Sequence, residues 1–144
     1  MKLHRTACLL LLLVYGVLTA SYGAIIPFFE GPDEDAHVAY IAHLQQTHRL
    51  PTLDAESAAV SHELVQQPPL YYAMAALADW GQGMSAARQL DHRNPYTAKG
   101  LSKRYTITLP NSEPGLALPL YIARFVTFLG GLLTVWFTWL LTRA

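Results

Sequence analysis

Asp33, Glu34 and Asp35 stand in a row, with His37 two residues on. Clustered carboxylates are carriers of general acid–base chemistry, and partial desolvation makes such a group a stronger proton acceptor. Asp33 and His37 are four apart, so on one helix they face the same way and one can orient the other. The blander alternative is a solvated, dipole-favoured helix start followed by an ordinary interfacial histidine. A second string, Gln66-Gln67-Pro68-Pro69-Leu70-Tyr71-Tyr72, sets amides and phenols beside a proline pair. Its polar groups offer hydrogen bonds and its rings offer sugar-stacking surfaces. A Pro-started helix with aromatics at an interface explains the same residues structurally. Arg124 is the third candidate. It is either a snorkelling cation or an intramembrane one paired with a carboxylate or a lipid phosphate.

These residues have to be positioned by two long apolar runs. Residues 8–29 form 22 positions without a charge. At ~1.5 Å per residue that is about 33 Å of helix, enough for a hydrocarbon core of ~30 Å. Residues 116–141 form the second run, interrupted only by Arg124. A cleaved signal peptide is the competing reading of the first run, with Leu18-Thr19-Ala20 as cleavage site. Apolarity continues through Ile25, Ile26, Phe28 and Phe29, beyond the 7–15-residue core of such signals, and favours a retained span. The expected organisation is a short cytoplasmic start (1–7), a transmembrane helix (8–29), an extracytoplasmic loop (30–115), a second transmembrane helix (116–141) and a cytoplasmic end (142–144). The acids then lie at the outer end of the first span, and Arg124 lies near the outer end of the second.

Charge distribution supports this orientation. All ten Asp and Glu fall between Glu30 and Glu113, whereas the tails carry Lys2, Arg5 and Arg143 and no acid. Basic residues beside a span favour the cytoplasmic side. The net charge is zero and no basic stripe is present, so nothing points to nucleic acid. The single cysteine, Cys8, excludes an intrachain disulfide. His43, His48 and His62 do not form a metal set: counted from His37, the spacings of six and five do not stack on one helix face; no cofactor is expected and a divalent metal lacks support.

Within the loop, Val38, Ile41 and Leu44, with Ala42, mark one face of a helix over residues 33–48. Asp33 is its expected N-cap, and Arg49-Leu50-Pro51 ends it. This helix is expected to lie along the membrane surface. Residues 52–62 read as loop. Pro68-Pro69 opens a second helix carrying Leu70, Tyr71, Met74, Leu77 and Ala78, which ends near Gly81-Gln82-Gly83. Residues 84–115 show little periodicity, with one short extended piece at Tyr105-Thr106-Ile107-Thr108-Leu109. Gly130-Gly131 in the second run permits close helix packing. The fold class is thus an all-α membrane protein, two transmembrane helices joined by an extracytoplasmic loop with interfacial juxtamembrane helices.

The order of these motifs resembles a known family. A first span is followed by Pro32-Asp33-Glu34, His37 and Tyr40, then Leu50-Pro51, then Gln67-Pro68-Pro69-Leu70-Tyr71-Tyr72, then Arg124 opening the second span. This looks like the N-terminal end of polytopic membrane glycosyltransferases of the GT-C fold, the superfamily of protein O-mannosyltransferases and lipid A aminoarabinose transferases (glycosyltransferase family 39-like). The resemblance implies a polyprenyl-phosphate-linked sugar donor and an acceptor hydroxyl. It implies Asp33 as general base, with Glu34 as alternate or helper, and inversion at the anomeric carbon. It makes His37, Gln67, Tyr71, Tyr72 and Arg124 the substrate-binding set, Arg124 facing the departing phosphate. Two departures stand out. Many relatives carry Lys before the proline pair where this chain has Gln67, and the family has many more spans than two. The chain is therefore expected to be a truncated piece that relies on further helices or a membrane partner for activity. The alternatives are a small two-span subunit or assembly factor that is not an enzyme, and a secreted binding domain with a cleaved signal and a C-terminal anchor.

Overall fold

The computed structural model describes residues 2–53, 65–81, 83–91 and 114–143. Among the described residues the ordered structure is entirely helical. The elements are α1 (Lys2–Ile25), α2 (Glu34–Thr47), α3 (Leu70–Ala78), a single helical turn α4 (Met84–Ala87) running into a 3-10 turn (Arg88–Leu90), and α5 (Pro114–Leu141).

Two of these, α1 and α5, are long and apolar enough to cross a membrane. With 24 and 28 residues they extend about 36 and 42 Å. Only 6% of the apolar window in α1 and 28% of that in α5 is buried. Leu9, Leu10, Leu11, Leu13, Val14, Val17 and Leu18 all face outward. Contiguous apolar surface of that extent marks a contact with lipid or with further protein.

The contact between the two long helices includes a small residue. The Tyr15 ring stacks on Phe128 with centroids 6.1 Å apart, and its hydroxyl donates to the Phe128 carbonyl at 3.4 Å. That hydroxyl occupies the space where a Cβ on Gly131 would stand, while a Cβ on Gly130 would meet nothing. Of the glycine pair, Gly131 alone serves the packing of these two helices. Pro119 lies inside α5 but near its start, and its ring is buried.

The apolar run 8–29 does not continue as helix to its end. α1 stops at Ile25; Pro27 follows, and Phe29 takes a left-handed backbone (φ 65°). Phe28 and Phe29 turn back and are buried. They join Val38, Tyr40, Ile41, Tyr72, Ala75 and Met84, together with Ala117, Leu120 and Ala123 from the first turns of α5. This cluster is the core of a small helical cap standing on one end of the α1–α5 pair.

α2 matches its sequence pattern and exceeds it. Val38, Ile41 and Ala42 are buried, but so are Ala39 and Tyr40 between them, because α3, α4 and the 3-10 turn pack against the helix. α3 buries Tyr72, Ala75 and Ala76 and leaves Leu70, Met74 and Leu77 as an exposed apolar stripe, with Trp80 beyond it. The weak periodicity after residue 83 conceals α4 and its 3-10 turn, which bury Met84, Ala87 and Leu90. Four-residue elements are too short to show a period, so contact with α2 and α5 defines them. The expected extended piece at Tyr105–Leu109, His62 and most of the loop after Leu53 lie outside the described residues.

Candidate functional site

The turn from α1 into α2 carries the acidic motif. Asp33 is the N-cap of α2, as its position predicts, but it caps with its backbone. Its carbonyl accepts from the amides of Ala36 and His37, both at 3.0 Å, and its side chain makes no capping bond. The cause is the left-handed conformation (φ 57°, ψ 17°): side-chain capping needs a β-region backbone. Holding a non-glycine residue there costs of order 1 kcal/mol, and such residues concentrate at functional sites. The Asp33 side chain is exposed.

The expected orientation of His37 by Asp33 is not made. Asp33 lies outside the helix, so the four-residue stacking does not apply. His37 Nδ1 instead sits 2.8 Å from the Tyr72 hydroxyl, and that hydroxyl donates to Gln67 Oε1 at 3.0 Å. Three residues from the two motif strings thus converge across 35 positions of sequence. Tyr40, which the sequence pattern offered only as part of a motif, lies flat on Tyr72 with centroids 3.8 Å apart and planes 8° apart. Tyr71 meets Tyr72 edge-on. Burial and the neighbouring phenols of Tyr71 and Tyr40 push the Tyr72 phenol up to about 12, so it stays an O–H donor. Burial also raises Tyr71, against the lowering effect of a hydrogen bond with Thr127, with the charge of Glu34 raising it further.

Glu34 and Arg124 form the charged centre. Arg124 Nε donates to Glu34 Oε1 at 3.0 Å and Nη2 donates to Oε2 at 3.1 Å. The other donors go to backbone: Nη1 to the carbonyls of Gly23 (3.0 Å) and Ile26 (2.8 Å), Nη2 to that of Pro27 (3.1 Å). A guanidinium has five N–H donors, and these five bonds use them all. The Phe28 ring lies 4.6 Å from the guanidinium carbon. Arg124 therefore ties the frayed carbonyls at the end of α1 to α5, a role suited to a cation at a helix C-terminus. Glu34 Oε2 also accepts the Phe29 amide at 2.7 Å. Of the two sequence-level roles for Arg124, pairing with a carboxylate is the one made, and it leaves no donor for a lipid phosphate. Glu34, held on both oxygens, is a clamp for the turn rather than a free proton acceptor.

Two cavities flank the clamp. One, of about 660 Å³, runs between α1 and α5 past Tyr22, Ile26, Phe125 and Phe128, with Glu30, Glu34 and Arg124 also in its wall. The other, of about 380 Å³, lies between α2, α3 and α5 and is walled by Glu34, His37, Tyr71, Arg124 and Thr127 among apolar neighbours. Pro32 and Glu34, on either side of Asp33, line both. Among the described residues no three of His, Cys, Asp and Glu are grouped as a metal ion would require.

One polar centre was not signalled by any motif. Asp79, at the end of α3, is fully buried. Its Oδ2 accepts from Gln45 Nε2 at 3.0 Å, and Oδ1 has no partner among the described residues. Burial raises its pKa, and the Gln45 hydrogen bond partly offsets that. Gln45 Oε1 also accepts the Met84 amide at 3.0 Å, so this amide joins α2, α3 and α4. The available sequence signal was an acid directly after an apolar helical run.

The chain matches no family model, no curated protein and no solved structure.

Proposed function

We propose that this chain is part of a membrane-embedded glycosyltransferase of the GT-C type, acting at the outer face of a cell membrane with both termini cytoplasmic. In this reading a sugar is transferred from a polyprenyl-phosphate donor to an acceptor hydroxyl. Asp33 takes the acceptor's proton as the oxygen attacks the anomeric carbon from the side opposite the phosphate. The new C–O bond forms, the bond to the phosphate oxygen breaks, and the lipid phosphate departs with the electron pair.

The observation that carries the proposal is the corner at Asp33. An exposed carboxylate stands on a strained left-handed residue at the start of α2, eight residues past the end of a helix long and apolar enough to span. Its two chain neighbours line a mainly apolar cavity between α1 and α5, and that cavity suits a lipid chain. The motif order of the sequence agrees with this reading. Donor-phosphate stabilisation is assigned to groups other than Arg124, whose donors are already used.

The test is Asp33→Asn in the native protein, with membrane insertion checked by protease protection and transfer measured as sugar incorporation into envelope acceptors. Loss of a general base lowers the rate about 10²–10⁴-fold with insertion unchanged. Transfer at the wild-type rate would rule out Asp33 as the base. Purification of a stable, larger membrane assembly with no transferase activity would favour the two-span subunit instead.

A further inference from the structure

We propose that Tyr72 locks His37 in its Nδ1–H tautomer, and that the free Nε2 of His37 accepts a hydrogen bond from a hydroxyl of a sugar-like ligand in the cavity between α2, α3 and α5. The identification of that ligand as a carbohydrate rests on the transferase reading; the tautomer does not.

The argument begins with one proton. The Tyr72 hydroxyl has a single hydrogen and donates it to Gln67 Oε1 at 3.0 Å. The 2.8 Å contact between Tyr72 and His37 Nδ1 must then be donated by the ring nitrogen. A neutral imidazole protonated at Nδ1 carries a lone pair on Nε2. The phenol is fixed in this role by its surroundings. Tyr72 is buried and stacked on Tyr40, so its ring cannot swing away, and its high pKa keeps it from becoming a phenolate.

The location of the lone pair follows from the walls. His37 lines the 380 Å³ cavity and Tyr72, the partner of Nδ1, does not; in the proposed arrangement the ring edge opposite Nδ1 is set against that open space. Among the described residues no donor reaches Nε2. The cavity has the size of a small-ligand pocket. Its polar groups select the ligand's chemistry. The donors of Arg124 are used, and its charge is matched by Glu34 at 2.9 Å, so neither an anion nor a cation finds a net opposite charge. Thr127 engages the Tyr71 phenol. What remains open is the acceptor on His37 Nε2, since both Glu34 oxygens are taken by Arg124 and the Phe29 amide. A neutral ligand carrying an O–H donor fits that remainder. His37 is then a positioning residue for the ligand, beside the corner that carries Asp33.

The experiment is ¹⁵N NMR of histidine-labelled intact protein in lipid nanodiscs at alkaline pH, with His37→Gln identifying the His37 resonances. The expected spectrum shows His37 protonated on Nδ1, and Tyr72→Phe returns it to the commoner Nε2–H form. An Nε2–H ring in the wild type overturns the lock. Octyl glucoside is then titrated in as the sugar-bearing probe, against octyl dimethylamine oxide, which has no hydroxyl. Saturable movement of the His37 Nε2 signal with the glucoside alone, weakened about fivefold by Tyr72→Phe, supports the site. No movement, or equal movement with both amphiphiles, overturns it. Neither readout uses transfer activity. If Asp33→Asn left transfer intact, the transferase reading would fall while the tautomer lock and glucoside response stood.

Discussion

Removing Arg124 should loosen the end of α1 and the acidic turn together. Arg124→Met keeps the side chain's apolar stem and deletes the guanidinium. It strips Glu34 of both bonds to the guanidinium and frees the carbonyls of Gly23, Ile26 and Pro27. The side chains of the pair are only 22% and 18% exposed, so solvent replaces little of what is lost. Breaking a largely buried ion pair from one side costs about 3–5 kcal/mol, most of it the stranded charge. Glu34→Gln alone leaves a cation with three backbone acceptors still in place, and about 2 kcal/mol is expected. The double variant strands no charge. It should therefore be about 1–3 kcal/mol more stable than the sum of the single changes predicts. Arg124→Lys keeps the charge but has three donors for five acceptor contacts, and should fall between wild type and Arg124→Met. Reversible unfolding in mixed micelles, run on all four variants, reads these differences. Additive single effects, or an Arg124→Met loss below about 0.5 kcal/mol, would refute the five-donor clamp.

Three further outcomes are expected. Gly131→Ala displaces the Tyr15 hydroxyl and breaks its bond to the Phe128 carbonyl, lowering stability by about 1 kcal/mol, whereas Gly130→Ala, with open space at its Cβ, does not; the same unfolding assay separates them. Asp79 binds its proton more tightly folded than unfolded, because burial raises its pKa. Its stabilisation is thus complete below the unfolded carboxyl value of about 3.9 and is lost as pH rises through the higher folded value. Asp79→Asn should accordingly raise the melting temperature at neutral pH and converge with wild type in acid; a gain that persists unchanged below pH ~4 would contradict the burial argument. Gln45→Ala strands both the Asp79 carboxylate and the Met84 amide, and a loss of about 1–3 kcal/mol is expected, with hydrogen exchange at Met84 accelerated.

Much of the architecture follows from composition and period. Two apolar runs of sufficient length, the second broken only by Arg124, form helices in almost any environment, and Val38, Ile41 and Leu44 mark the inner side of α2 because a 3.6-residue period needs no partner to be read. The end of α2 ahead of Pro51 and the start of α3 after Pro69 are equally local signals, since a proline restricts the backbone of its own and the preceding residue. The matching depth of the acids and Arg124 also follows from counting along two helices. The sequence carries no local mark of which acid takes the cation. Asp33, Glu34 and Asp35 are equivalent as residue types, and the left-handed turn at Asp33, closed by the buried Phe28 and Phe29, is what presents Glu34 to Arg124. The same turn withdraws Asp33 from His37, and only the packing of α3 across α2 supplies Tyr72 in its place. Gln45 and Asp79 meet across 34 residues for the same reason. Helical period is a property of neighbouring residues. Pairing between side chains on different helices is a property of how the helices are packed, and one turn's backbone conformation decided it here.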